Sequence, residues 1–203
     1  MILKKMSLIT KISAKFIAMV LFLVPINSYA IETSMQLHKA DQSGAYGLSL
    51  GIGDNFFNQR EFNWAVTYNH FENIVVNDLK DQSLVWDKSD NSFPLDTIDL
   101  MLSYRYYPSS YNSFIKSLIV EFQAGAGINL TENKFIFNNN PTEVVFSEQG
   151  DINGVFAFMV HKKFTKQVAM HIGLKRYPDY SEFGDVSSVF LGFTYTFGRQ
   201  TAY

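Results

Sequence analysis

The sequence predicts an all-β fold, an eight-stranded antiparallel up-and-down transmembrane β-barrel. Three observations predict it. Eight stretches alternate large apolar residues with small or polar ones, the period of a strand with two unlike faces. The connections between them are alternately short and long. After Val24 no apolar run reaches the ~20 residues of a membrane-crossing helix, so only strands could span a bilayer.

The amino terminus predicts export. Lys4, Lys5, Lys11 and Lys15 precede an apolar run from Phe16 to Val24; Pro25 breaks it, and Ser28-Tyr29-Ala30 places small residues at both recognition positions of a signal peptidase. Residues 1–30 are therefore expected to be a cleaved secretory signal, with 31–203 as one barrel domain. Those 173 residues (203 − 30) suit a single domain. The segment holds four of the 17 basic residues and no acid, so the remainder carries 13 basic against 19 acidic groups, a net −6 with His neutral. That balance argues against nucleic acid as a partner. With no cysteine, disulfides, thiolate metal sites and a cysteine nucleophile are excluded.

The elements follow in order. Met35 and Leu37 against Gln36 and His38 mark a short first strand, the weakest of the eight. Tyr46, Leu48, Leu50 and Ile52 alternate with Ala45, Gly47, Ser49, Gly51 and Gly53, and residues 54–60 read as a turn. From Glu61 a third strand sets Phe62, Trp64, Val66 and Tyr68 against Asn63, Ala65, Thr67 and Asn69, with the pattern lost after Phe71. Residues 77–95 read as a polar loop. Asp96 to Tyr107 gives Ile98, Leu100, Leu102, Tyr104 and Tyr106 on one face, and 108–112 turns the chain. In the fifth strand Leu118, Val120, Phe122, Ala124, Ala126 and Ile128 oppose Glu121, Gln123, Gly125, Gly127 and Asn129, with Ile119 as an apolar intruder. A second loop, 131–151, leads to Phe156, Phe158 and Val160 against Val155, Ala157, Met159 and His161. A tight connection at 164–166 follows. Val168, Met170, Ile172 and Leu174 then oppose Ala169, His171, Gly173, Lys175 and Tyr177. After a loop at 178–186, Val189, Leu191, Phe193, Tyr195 and Phe197 alternate with Gly192, Thr194 and Thr196. No internal repeat and no helical period stands out.

Alternation alone leaves open which face is outside, because a lipocalin-like barrel turns its apolar face inward around a ligand. The other face decides. It carries Glu61, Asp99, Arg105, Glu121, Gln123, His161, His171 and Lys175 among Gly, Ser and Thr, mixed charges that can pair inside a crowded lumen. Tyr104, Tyr106, Phe164, Tyr195 and Phe197 fall where an interfacial girdle is expected.

Gly192, Tyr195 and Phe197 form the Gly-x-x-aromatic-x-aromatic pattern of a membrane-insertion signal. In this the chain resembles the small eight-stranded outer-membrane barrels of the OmpA and OmpX type, from Ile31 to Phe197. Leu191 departs from the polar residue usual in that pattern, and Gly198 to Tyr203 continue past the aromatic that is normally terminal. The resemblance implies location in the outer membrane of a Gram-negative cell envelope, a monomer, and contact with outer-membrane lipid, lipopolysaccharide and the barrel-assembly machinery.

The inward charges Asp99, Arg105, Glu121, His161, His171 and Lys175 are candidates for one lumen polar network, which in a small barrel plugs and rigidifies. His38, His70, His161 and His171 share no metal-ligand spacing, so neither a metal nor a cofactor is expected. The stretch from Phe114 to Gly127 is similar to a strand of the lipid A 3-O-deacylases. That family's His-x-Ser on the penultimate strand is replaced here by Lys175-Arg176-Tyr177-Pro178; His70 with Glu72 lies on the lipid-facing parity without an evident serine opposite. The loops are acidic: Asp78, Asp81, Asp87 and Asp90, then Glu132, Glu143, Glu148 and Asp151, then Asp179, Glu182 and Asp185. Asp87-Lys88-Ser89-Asp90-Asn91 opens like a calcium loop but lacks its Gly and closing Glu. The expected role is structural or one of surface interaction, without enzyme activity. The alternatives are a lipid A-modifying barrel enzyme and a narrow pore for small solutes.

Overall fold

A computed structural model describes residues 31–42, 44–56, 59–75, 92–136 and 143–197. The expected signal segment 1–30, the acids Asp78, Asp81, Asp87 and Asp90, and the tail Gly198 to Tyr203 lie outside the described residues. Eight strands close into a barrel: β1 (Glu32–Ala40), β2 (Tyr46–Phe56), β3 (Gln59–Val75), β4 (Ser92–Tyr106), β5 (Leu118–Asn129), β8 (Ile152–Lys163), β9 (Val168–Tyr177) and β10 (Val186–Thr196). Each pairs antiparallel with its neighbour. A separate hairpin of β6 (Asn133–Ile136) and β7 (Glu143–Ser147) is inserted between β5 and β8.

The weakest stretch of the sequence makes the closure. β1 pairs with β10 from Glu32 opposite Thr196 to Ala40 opposite Ser188, and with β2 from Glu32 opposite Gly53 to Lys39 opposite Tyr46. Without it the sheet would have two open edges. Ile31 and Phe197, bonded at 2.7 Å, share one end, the turn end, with the strand ends that flank 57–58, 107–117 and 164–167. The segments 76–91, 130–151 and 178–185 leave from the other, the loop end, as does the tight β1–β2 turn closed by Ala40 N to Ala45 O at 3.1 Å around Gly44 with φ +83°.

The apolar parity faces outward. Leu37, Leu50, Leu100, Leu102, Phe156, Ile172, Leu191 and Phe193 are exposed, while Asp99, Glu121, His171 and Lys175 are buried. The lipocalin-like arrangement is thereby excluded. Rings gather on the outside of the turn end, Phe62 against Tyr104 with centroids 5.4 Å apart and Tyr195 against Phe197 at 4.7 Å.

Several boundaries differ from the sequence reading, and the reasons are physical. β3 continues four residues past Phe71 to Val75, and β4 begins at Ser92, inside the expected 77–95 loop. Beyond Phe71 the alternation fails because the pairing slips between Phe71 and Ile74, where Asn73 adopts φ 60°. There Phe71, Ile74 and Leu95 point inward and are fully buried, with Phe93 against them, so the inside has become the apolar side. Tyr177, Tyr180, Phe183, Val186 and Phe190 complete this plug in the loop end. Most of the expected 54–60 turn is strand, because β2 runs to Phe56 and β3 starts at Gln59. The 131–151 loop contains the β6–β7 hairpin, whose strands of four and five residues are too short to show a period. After the 108–112 turn a single helical turn, α1 (Ser113–Lys116), is capped by Asn112 Oδ1 accepting from Phe114 N at 2.9 Å. Ser181–Phe183 forms a 3-10 turn that delivers Tyr180 and Phe183 into the plug.

Candidate functional site

The lumen below the plug is crossed by side chains. At the turn end Arg105 on β4 lies opposite Glu121 on β5 and donates from Nε to its Oε2 at 2.6 Å. Its two terminal nitrogens reach across the barrel to Glu32 on β1, 3.0 and 2.7 Å, a bidentate pair. Gln123 donates to the other Glu121 oxygen at 2.7 Å, and His161 Nε2 lies 2.8 Å from Glu121 Oε2. His161 faces His171 in the β8–β9 register with ring centroids 5.1 Å apart, and His171 Nδ1 is 3.2 Å from Thr194 Oγ1.

Nearer the plug a second cluster forms around Asp99. Lys175 Nζ lies 2.5 Å from its Oδ2, Tyr177 donates to the same oxygen at 2.8 Å, and Thr97 donates to Oδ1 at 3.1 Å. Lys175 also donates to Asn69 Oδ1 at 2.7 Å, which takes the Ser49 hydroxyl proton at 2.6 Å. With that proton committed, His38 Nε2 must be the donor to Ser49 Oγ at 2.7 Å, leaving Nδ1 to accept from Ser188 Oγ at 3.0 Å. The His38 ring packs against Phe71 and Phe190.

The six charges expected to form one network are thus divided. Arg105, Glu121, His161 and His171 belong to the lower cluster, and Asp99 with Lys175 to the upper. Glu61 leaves the lumen altogether, because Arg60 pairs with it at the exposed rim, 3.0 Å away. Sequence reasoning missed Glu32, which sits at the start of the weakest strand, and Asn69, Ser49 and Tyr177, which carry no charge to draw attention. Gly192, read as part of an insertion signal, has a second reason to be glycine. A Cβ there would strike the His171 ring and the Met35 carbonyl.

A third polar group lies outside the barrel, where the outward parity of β3 and β4 leaves the apolar belt at the loop end. His70 Nδ1 is 2.8 Å from Asp96 Oδ1 and its Nε2 3.0 Å from Glu72 Oε1. Both partners are carboxylates that only accept, an arrangement that favours the imidazolium form of the ring. Tyr68 donates to Asp96 Oδ1 at 2.7 Å and Thr131 to Oδ2 at 3.2 Å. Each hydroxyl binds Asp96, and His70 Nε2 faces a carboxylate instead of a nucleophile.

Neisserial surface protein A matches with a TM-score of 0.54 and 13% identity over 82% of this chain and 95% of that one. A de novo designed transmembrane β-barrel gives 0.48 and 11% over 84% and 97%. Ail, the attachment invasion locus protein of Yersinia pestis, gives 0.46 and 10% over 84% and 97%. This chain has the fold of the small eight-stranded outer-membrane barrels. No protein-family model and no curated protein sequence matches it.

At the loop end two of the acids have structural duties. Asp151 Oδ2 accepts from Glu148 N at 3.0 Å and from Ser181 at 3.3 Å. Asp185 accepts from Asp179 N at 3.1 Å and from Arg176; the backbone bond first, then the guanidinium, hold its carboxyl below the usual carboxylate range. Burial pushes the Tyr180 hydroxyl up. Glu132 pairs with Lys134 at 3.3 Å on the exposed side. The side chains of Glu143 and Glu182 lie outside the described residues.

Proposed function

We propose that the protein is a monomeric outer-membrane barrel with a structural or surface-interaction role, neither a pore nor an enzyme. The observation that carries this reading is the lumen. Charged residues bonded across the barrel fill its lower half, and Phe71, Tyr177, Tyr180, Phe183 and Phe190 fill its loop end. That filling disfavours the narrow pore. Against lipid A modification stands the absence of a hydroxyl facing His70 Nε2 among the described residues, together with Lys175-Arg176-Tyr177 where the deacylases carry their catalytic pair. Segments of unequal length favour placing the turn end in the periplasm and the loop end at the cell surface. In this reading residues 1–30 are removed after Ala30, the β10 pattern of Gly192, Tyr195 and Phe197 engages the barrel-assembly machinery, and lipopolysaccharide surrounds the loop end.

Three measurements test it. Outer-membrane extracts should give a heat-modifiable band whose amino-terminal sequence starts at Ile31. Planar bilayers should show no single-channel steps; steps would establish the pore instead. Mass spectrometry of lipid A from cells with and without the protein should be identical, and a lost or added acyl chain would establish the enzyme.

A further inference from the structure

The lower lumen cluster does not close around the barrel. Its contacts run through β1, β4, β5, β8, β9 and β10, from Glu32 and Arg105 to His171 and Thr194, and pass over β2 and β3. On β2 the inward positions at this end include Gly51 and Gly53, which have no side chain to offer. β3 does offer one. Asn63, inward on β3, stands opposite Ser103, and Ser103 stands opposite Gln123 of the cluster, so all three lie at one height. Asn63 is 4% exposed, and neither its Oδ1 nor its Nδ2 has a hydrogen-bond partner among the described residues. Exchanging the two amide atoms would satisfy neither. Burying an amide without partners is costly, and native interiors rarely do it.

A cavity of about 40 Å³ adjoins Asn63, lined also by Ser34, Gln36 and Ser103 and bordered by Arg105 and Glu121. One water molecule needs ~10–15 Å³ of such room and two to four polar partners, so the space holds about two. The amides of Asn63 and Gln36 and the hydroxyls of Ser34 and Ser103 supply donors and acceptors of both kinds. The charges at the border are already spent on one another, Arg105 on Glu32 and on Glu121. An ion would therefore find its counter-charges paired, whereas neutral groups that both donate and accept select a ligand that does the same. We infer that the lower lumen holds a site for ordered water, hydrogen-bonded to Asn63 and bridging it to Ser103 and Gln36, and that this water joins β3 to the cluster on the other strands. The Asp99 cluster and the plug lie between the site and the loop end. Water held here implies no conduction, and bilayer recordings do not bear on it.

The test is nuclear magnetic resonance on the isotopically labelled barrel in detergent micelles, with water as the probe. Cross peaks between the Asn63 side-chain amide protons and the water resonance should have opposite signs in the laboratory-frame and rotating-frame Overhauser experiments, as long-lived water gives. Asn129 is the buried control, because its Nδ2 is spent on Thr131 O at 2.7 Å and Glu148 O at 2.8 Å; it should show none. Ser103→Val fills the cavity, and Ser103→Ala leaves it open. The valine variant should lose the Asn63 cross peaks. In urea it should also show a folded-to-unfolded ratio about tenfold below that of the alanine variant, since its amide is left dry. If the valine variant does not fold, the wild-type spectrum decides alone. Missing cross peaks at Asn63, equal ones at Asn129, or valine and alanine variants of the same stability would each overturn the site.

Discussion

Replacing Lys175 by Met removes one charge from the upper lumen and leaves its length in place. Asp99 is fully buried there, with a relative exposure of 0%, and Lys175 Nζ is the cation against it at 2.5 Å. Breaking a buried pair by removing one partner costs about 3–5 kcal/mol, because the remaining charge has lost its compensation. Tyr177 and Thr97 still donate to Asp99, which places the expectation at the low end, about 3 kcal/mol. Adding Asp99→Asn should recover most of that loss, since removal of both charges leaves none unpaired. Urea unfolding in detergent, followed by tryptophan fluorescence and gel mobility, measures both. A single variant within about 0.5 kcal/mol of wild type would refute the argument. So would a double variant whose loss equals the sum of the singles, because coupled neighbours do not add.

Gly192→Val is expected to block closure of the β1–β10 seam and abolish the heat-modifiable form. Adding His171→Ala should relieve it only in part, because the Met35 carbonyl still meets the new Cβ; full rescue would contradict this. Arg105→Ala leaves Glu121 and Glu32 without their shared cation and should lower the urea midpoint, yet bilayer conductance should stay at zero because the plug is untouched. Leu191, paired with Leu37 and Ile172 on the lipid side, should lose about 2–4 kcal/mol on change to Arg, and a surface-like tolerance would argue against a lipid-facing wall there. Asp185→Asn keeps an oxygen for the Asp179 N–H and loses only the exposed Arg176 pair, so it should lower the urea midpoint only slightly.

What the sequence could reveal depended on which solvent each strand face meets. Within the membrane, the two-residue period is enforced by lipid on one side and a polar lumen on the other. The expected seventh strand accordingly coincides with β9 at Val168–Tyr177. At the loop end the rule reverses, and Phe71, Ile74, Phe93 and Leu95 gave no outward apolar parity to follow, so the ends of β3 and β4 were lost. The site residues divide in the same way. Charges on inward parity were visible one at a time, but their division into an Arg105 cluster and a Lys175 cluster depends on height along strands of different tilt and register. Glu32 reaches Arg105 only because β1 closes against β10 and β2, which no local pattern states. His70 and Glu72 stood out as polar residues on a lipid-facing parity. Their neighbours Asp96 and Thr131 come from distant segments joined by the β3–β4–β5 register.

The reversal of polarity along the barrel axis also bears on what the loop end can do. In the span, the inside is held by ion pairs whose desolvation offsets much of their attraction. At the loop end an apolar core is buried inward, and each such side chain contributes about 1.5–3 kcal/mol relative to exposure. Tyr180 and Phe183 enter that core from the β9–β10 connection, and Phe146 enters it from β7. Two loop-end segments, β7 and 178–185, are therefore anchored by packing. A partner meeting this surface would encounter backbone already ordered and would forgo part of the entropic cost of arranging it. Phe183→Ala tests the point: hydrogen exchange in 178–185 and in β7 should rise together while the membrane span stays protected. If only 178–185 loosens, the two segments are ordered independently and the shared core is not what fixes them.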